Sequence, residues 1–260
     1  MKRPPRLVAR TLAVTFLTVA VILTVVFVLL TVETRALVRA EETEKLRVSG
    51  QIFTGIDSRR RQEQLATIAT LAENPTLKAA LDTYVTESRF AGDTVNQQLS
   101  LRETVTRETG KLAALTGADV LAVLDTDERV FASSGPSAGR WPPGQRIQIA
   151  GATLQPFQSV AVLTGAAFRV SGTELRLGDR AIGTLILGTS LDGNYAQELS
   201  NLSAAGVVIA VNGTAVARTV GAEVTRDLLA AGIDPGTTRR LNGEEYAIRT
   251  LLAYGPVRIY

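Results

Sequence analysis

The 260-residue sequence contains no cysteine and no histidine, and these two absences remove whole classes of chemistry. Without cysteine there is no disulfide frame, no thiolate metal site and no iron–sulfur cluster. Without histidine there is no Ser-His-Asp triad, no histidine-ligated zinc or haem and no phospho-accepting histidine, and the commonest general base is missing. Aromatic residues are scarce at 5%, with one Trp, while apolar residues reach 45%, enough to build a core and to argue against disorder. A basic surface is also lacking. The net charge is +3, but Lys2, Arg3, Arg6 and Arg10 alone carry +4, which leaves −1 for residues 11–260. A nucleic-acid binder carries its positive charge on the folded part, so no nucleic-acid partner is expected.

What the sequence does have is one long greasy run. Thr11–Val32 reads TLAVTFLTVAVILTVVFVLLTV, 22 residues without a charge, Gly, Pro or Asn. At about 1.5 Å per residue such a helix covers about 33 Å, against a bilayer core of about 30 Å. Basic residues precede it, and the following stretch is mixed in sign, so the positive-inside rule predicts residues 1–10 in the cytoplasm, 11–32 across an inner membrane and the bulk outside. A cleaved signal peptide would have a shorter apolar core and a small-residue cleavage site, and Thr31-Val32-Glu33-Thr34-Arg35 is a poor one.

Residues 33–73 lack Pro, and Leu37, Leu46, Ile52, Phe53, Ile56, Leu65, Ile68 and Leu71 recur at helical spacing among charges. This predicts a long stalk helix, which packs on the adjacent domain, forms a homodimer, or does both. Gly50 and Gly55 on it suggest a packing notch. Asn74-Pro75 breaks the helix and starts another. After a polar loop around Gly92-Asp93, a further helix is expected from Thr94 to Leu115.

Strand signals then take over: Asp119–Leu124, Arg129–Ser133, Ala166–Leu177 and Ala181–Ser190, the last a central buried strand. A Gly/Pro loop holding Trp141 lies between the second and third. Asp192 is placed to cap a helix over Gly193–Ser203. Val207–Val211 and Thr214–Thr219 flank an Asn212-Gly213 hairpin turn. A helix over Ala222–Ala231, a turn at Asn242-Gly243 and strands at Tyr246–Ala253 and Val257–Tyr260 complete the reading.

The strand-rich regions repeat. LAALTGADVLAVLDTDERVFASSG (112–135) aligns with LSNLSAAGVVIAVNGTAVARTVG (199–221), and Phe168-Arg169-Val170 leading to Gly183-Thr184-Leu185 has an echo in Tyr246-Ala247-Ile248 leading to Gly255-Pro256-Val257. The final strand is shorter than its counterpart, which suggests the N-terminal part of a longer protein. Together with LATIATLAENPTLKAAL (65–81) and GTLILGTSLDGNYAQELS, this pattern resembles the double Cache sensor family over about residues 34–260. The closest likeness is to the double sensory domains in front of bacterial histidine kinases, cyclases and chemotaxis receptors. The resemblance implies an α+β fold: a transmembrane helix continuing into a stalk, then two PAS-like antiparallel-sheet modules, a membrane-distal one at 74–192 and a membrane-proximal one, truncated, at 193–260. A second membrane helix and a cytoplasmic output domain usually follow in that family, and neither is present here.

No enzyme motif is found, and no cofactor is expected. Asp125-x-Asp127-Glu128 has the spacing of a calcium loop but lacks its Gly and distal Glu, so a polar hairpin turn is the expectation. The chain reads as a sensing module for a small molecule, which needs a concave, partly apolar pocket with a few polar groups. The candidates are Trp141, beside Arg140, and Phe168 with Arg169. An arginine can clamp a carboxylate at two points and an aromatic can wall the pocket. Each also has a structural role open to it: loop anchor for Trp141, surface charge for Arg169, and helix cap for Asp192. A membrane-tethered envelope protein without signalling output remains the alternative reading.

Overall fold

A computed structural model describes the backbone from Arg6 onward except residues 90–94, 148, 150–155, 164, 231 and 233–237. The expected loop at Gly92-Asp93 lies outside the described residues. The chain divides into two compact units, Met1–Val48 and Ser49–Tyr260.

The first unit is the beginning of helix α1, which runs Arg6–Ala72. Of the 22 residues Thr11–Val32, side chains are described at ten. The large apolar ones among them (Phe16, Leu17, Val19, Val21, Ile22, Leu23, Val26 and Phe27) are all exposed. Among the described residues no helix is long and apolar enough to cross a membrane, so the expected span rests on the sequence pattern alone.

The second unit begins with the rest of α1. Gly50, Asp57, Ile68 and Ala72 are buried and Phe53, Arg61, Gln64 and Leu71 half-buried, a spacing of three and four that keeps one face of the helix against the protein. The helix ends where Pro75 cannot continue it. The Glu73 and Asn74 amides turn back to Thr70 and Leu71, and the Asn74 side chain accepts from the Leu77 amide at 2.9 Å, capping α2 (Pro75–Arg89) with proline at its first position. Helix α3 follows at Val95–Thr116.

The first sheet contains β1 (Val120–Leu124), β2 (Val130–Ser134), β3 (Phe157–Leu163), β4 (Ala166–Leu177) and β5 (Arg180–Ser190), all paired antiparallel in the order β2-β1-β5-β4-β3. Side-chain alternation gives it two buried faces. Leu121, Val123, Leu185 and Leu187 join Ile68, Leu77, Leu81 and Val105 of the helices. Val120, Ala122, Leu124 and Ile186 meet Trp141, Ile147, Phe168 and Val170 on the other side. At about 1.5–3 kcal/mol for each large apolar side chain removed from water, these two layers are the main hydrophobic contribution of the sheet. β3 was not expected. Its first half, Phe157-Gln158-Ser159, is polar enough to read as loop, yet Ser159 is buried.

Helix α4 (Gly193–Ser203) is capped by Asp192, whose carboxylate accepts from the Asn194 and Tyr195 amides. The second sheet is formed by β6 (Val208–Val211), β7 (Thr214–Arg218), β10 (Leu252–Tyr254) and β11 (Val257–Ile259), in the order β10-β11-β6-β7. Helix α5 (Ala222–Ala230) and a hairpin of β8 (Thr238–Leu241) with β9 (Glu244–Ala247) lie between β7 and β10 in the chain. The Asn212-Gly213 and Asn242-Gly243 turns both carry positive φ at both residues, 50° and 76°, then 46° and 84°, as a two-residue hairpin of this type requires.

The internal repeat is visible in this topology. Read from one edge, β2-β1-β5-β4 of the first sheet matches β7-β6-β11-β10 of the second. The two aligned segments form the equivalent hairpins, each with a register shift, at Val123/Leu124 and Ile209/Ala210. The second echo needs correction. Tyr246–Ala253 is not one strand; it is split between β9 and β10, with residues 248–251 in between, and β10 rather than Tyr246-Ala247-Ile248 occupies the place of β4.

Candidate functional site

Two adjoining arrangements hold the residues singled out in the sequence. Trp141 follows a short 3-10 turn at Ala138–Arg140. Its amide donates to the Ala138 carbonyl at 2.8 Å and its own carbonyl accepts from Ser133 Oγ at 2.9 Å. The indole is fully buried and meets the Phe168 ring edge-on, centroids 5.4 Å apart at 74°, a favoured aromatic geometry. Its Nε1 is buried without a hydrogen-bond partner. Trp141 and Phe168 are thus brought together. Arg169, next along β4, points to the opposite face of the sheet, because successive residues of a strand alternate.

Beside Phe168 opens a cleft of about 420 Å³. The loop after β2 supplies Ser137 and Arg140 to its lining, the start of β4 supplies Ala166 and Ala167, and the end of β5 with the two residues after it supplies Ser190, Leu191 and Asp192. Val216 of β7 comes from the second sheet. The hydroxyls of Ser137 and Ser190 lie 3.0 Å apart in hydrogen-bond contact. The Ser190 amide donates to Asp119 Oδ2 at 2.7 Å and the Ser137 amide to the Asp119 carbonyl at 2.8 Å, so one residue at the head of β1 anchors both walls.

On the other face, Arg169 pairs with Asp57 of α1, which also pairs with Arg61 one turn along. The Asp57 side chain is 2% exposed and that of Arg169 10%. A buried carboxylate persists in its charged form only with such partners. Around this pair, Gln64 donates to Thr189 Oγ1 at 3.2 Å, Gln158 donates to the Arg61 carbonyl at 3.0 Å, and Arg60 bonds Glu198 of α4 at 2.5 Å. The Arg169 guanidinium carbon lies 5.6 Å from the Tyr195 ring centre, and its Nη2 is buried without a partner. Burial raises the Tyr195 pKa above its ordinary 10.0, and the Arg169 charge opposes that shift in part.

Sequence reasoning did not single out Asp57, Gln64, Tyr195 or the two cleft serines. The available signal was a polar residue at a core position of the stalk: Asp57 falls between Phe53 and Ile68 on the inward face. Asp125, weighed above as a calcium ligand, accepts from the Asp127 and Arg129 amides, both at 2.9 Å. That is the turn-closing role of an aspartate at the start of a tight turn. Asp192 caps α4 and also lines the cleft.

The fold is α+β with antiparallel sheets. It is similar to the sensor domain of the V. cholerae histidine kinase DctB, with a TM-score of 0.51 at 9% identity over 68% of this chain and 67% of that one. The ligand-binding domain of the Campylobacter jejuni chemoreceptor Tlp3 in complex with 4-methylisoleucine aligns with a TM-score of 0.46 at 14% identity, over 84% of this chain and 88% of that one. The E. coli DcuS sensor domain aligns with a TM-score of 0.38 at 15% identity, over 61% and 99%. No protein-family model and no curated protein matches the chain. The likeness to the sensor domains of bacterial histidine kinases read from the sequence therefore holds at the level of the fold.

Proposed function

We propose that this chain is the extracytoplasmic ligand-sensing region of a bacterial transmembrane signal-transduction receptor, of histidine kinase, cyclase or chemotaxis type. The observation that carries this reading is the sensor-domain fold shared with the DctB domain. Its surroundings support it. The basic N-terminus and the Thr11–Val32 run suit a membrane anchor with the bulk periplasmic, and the exposed apolar side chains from Phe16 to Phe27 are what a lipid-facing helix presents. Residues 74–192 form the membrane-distal module and 193–260 the membrane-proximal one, and α1 joins its partner copy in a homodimer. A small molecule enters the cleft beside Phe168, whose ring is braced from behind by Trp141. Arg169 acts from the far side of β4, tying the strand to α1 through Asp57, so that a shift of the strand is felt by the stalk. The ligand moves this equilibrium by no more than its preference for one of the two states.

The test joins residues 1–260 to a reporter kinase and measures output across a library of small metabolites, alongside thermal shift of the same chain. A metabolite that both raises the melting temperature and changes kinase output is the expected result. A library with no hit in either assay removes the sensing reading.

A further inference from the structure

Along helix α1 the kind of contact changes. Residues 68–72 are fixed by apolar packing: Ile68 and Ala72 are buried with Leu77, Leu81 and Val105 on the helix side of the first sheet. Residues 50–64 are held by polar contacts. Asp57 spends Oδ1 on Arg169 and Oδ2 on Arg61. Gln64 donates to Thr189 Oγ1 at 3.2 Å and accepts from Ser171 Oγ at 3.4 Å. Gln158 reaches the Arg61 carbonyl at 3.0 Å, and Arg60 reaches Glu198 of α4 at 2.5 Å. Among the described side chains of this stretch, Phe53 alone joins an apolar cluster, and it is half-buried.

The two kinds of contact differ in what can replace them. Water substitutes for a polar partner at small net cost, but it does not substitute for a buried apolar neighbour. The charges are also distributed so that separation strands neither. Arg61 lies on the same helix as Asp57, one turn along, and leaves with it as its partner. Arg169 stays on β4, gains water where α1 covered it, and keeps the Tyr195 ring centre 5.6 Å from its guanidinium carbon. Its Nη2, buried without an acceptor while the helix is seated, gains one on opening. We infer that residues 50–64 of α1 are a latch. They lift from the first sheet and from α4 while Ile68 and Ala72 hold the end of the helix in place, and the chain visits this open state without any ligand and far short of global unfolding. The latch goes beyond the sensing reading, because it is a property of the resting chain.

Two buried serines of the first sheet separate a latch from global unfolding, because the chain has no cysteine of its own. Ser171, fully buried, lies under α1 against Gln64. Ser134, 8% exposed, lies under α3 against Thr106 and Thr109. Ser171→Cys and Ser134→Cys are made separately in the full chain, held in detergent, and the rate at which each reacts with a thiol reagent is followed through low concentrations of urea. Ser171→Cys is expected to react about 10-fold faster than Ser134→Cys despite lying deeper, with a shallower urea dependence, because a local opening exposes less surface than unfolding. Ile68→Val loosens an anchor that the seated and the lifted helix both keep. It should speed Ser134→Cys about 5-fold and leave Ser171→Cys unchanged. Asp57→Asn leaves Arg169 buried and unpaired only while the helix is seated, so it should speed Ser171→Cys by at least about 10-fold. Circular dichroism checks that each variant folds, and Val160→Cys, paired with Arg169 across the strands, is the second reporter if Ser171→Cys does not. Equal rates and urea slopes at the two serines, or a Ser171→Cys rate that follows Ile68→Val, overturns the latch. So does a Ser171→Cys rate indifferent to Asp57→Asn. No metabolite is added, so none of these outcomes bears on the sensing reading.

Discussion

At the scale of single residues, the polar groups under α1 are held by compensation. Asp57 and Arg169 are both almost fully removed from water; Arg169 without Asp57 would be an unpaired buried charge costing several kcal/mol, whereas Asp57 without Arg169 would keep its pair with Arg61. Tyr195 stands over the same arginine, and its hydroxyl keeps its proton to higher pH than a free tyrosine because burial penalises the phenolate more than Arg169 rewards it. The sign for stability follows. The unfolded chain releases this proton near 10.0, whereas the folded chain holds it to higher pH. The associated stability is therefore fully present below 10.0 and is lost as pH rises through the raised, folded-state value. Tyr195→Phe removes this group. Urea midpoints between about pH 8 and 11 should fall more steeply for the unaltered chain than for the variant, with the difference confined to the alkaline end. Equal slopes would mean that the folded protein ionises Tyr195 as readily as the unfolded chain does.

At the scale of elements, glycines separate strands that are closely packed from helices that are open. Gly183 is buried on β5, and a Cβ there would stand 2.5 Å from the Leu124 carbonyl oxygen and 2.6 Å from Leu81 Cδ2. The carbonyl belongs to the β1 backbone, so the strand itself must move. Gly183→Ala should cost about 1–3 kcal/mol, as overpacking in a closed core does. Gly55 on α1 has nothing within 4 Å of its Cβ position, and Gly55→Ala should stabilise by about 0.5–1 kcal/mol through helix propensity alone. Thermal or urea denaturation of the two variants should shift in opposite directions. The expected notch on the stalk is thus one-sided: Gly50 is where the Arg249 guanidinium comes close, at 2.8 Å from a built Cβ, and Gly55 is open.

Legibility follows the same physics. Strands β1, β4 and β5 were readable because they are continuous or alternating apolar runs, and α2 and α4 because Asn74-Pro75 and Asp192 mark their starts. β3 was not, because its inward positions include Ser159 and its Gln158 reaches the Arg61 carbonyl: polar side chains that make buried hydrogen bonds look like loop residues in a sequence. Trp141 and Phe168 could be picked out as bulky aromatics. That Arg169 faces away from them follows from strand alternation, but which face meets α1 depends on pairing between distant segments. The cleft gathers residues from β2's loop, the β3–β4 turn, β5 and β7, and no local pattern announces such a meeting.

At the scale of the whole molecule, everything proposed for ligand access depends on which side of a membrane the second unit occupies. The charge pattern argues for the outside: Lys2, Arg3, Arg6 and Arg10 precede an uncharged run of 22 residues, and the segment after it is mixed in sign. The absence of cysteine makes this testable without background, since any thiol introduced is the only one. Thr126 is exposed in the turn between β1 and β2, away from the lining of the cleft. In intact cells whose outer barrier is opened, a membrane-impermeant maleimide should label Thr126→Cys at once. It should reach Lys2→Cys only after the inner membrane is permeabilised, and both variants should stay with the membrane fraction until detergent is added. If the pattern is reversed, with Lys2→Cys reactive from outside and Thr126→Cys protected, the second unit faces the cytoplasm. A metabolite acting on it would then have to be an internal one, and the receptor would report the state of the cell instead of its surroundings.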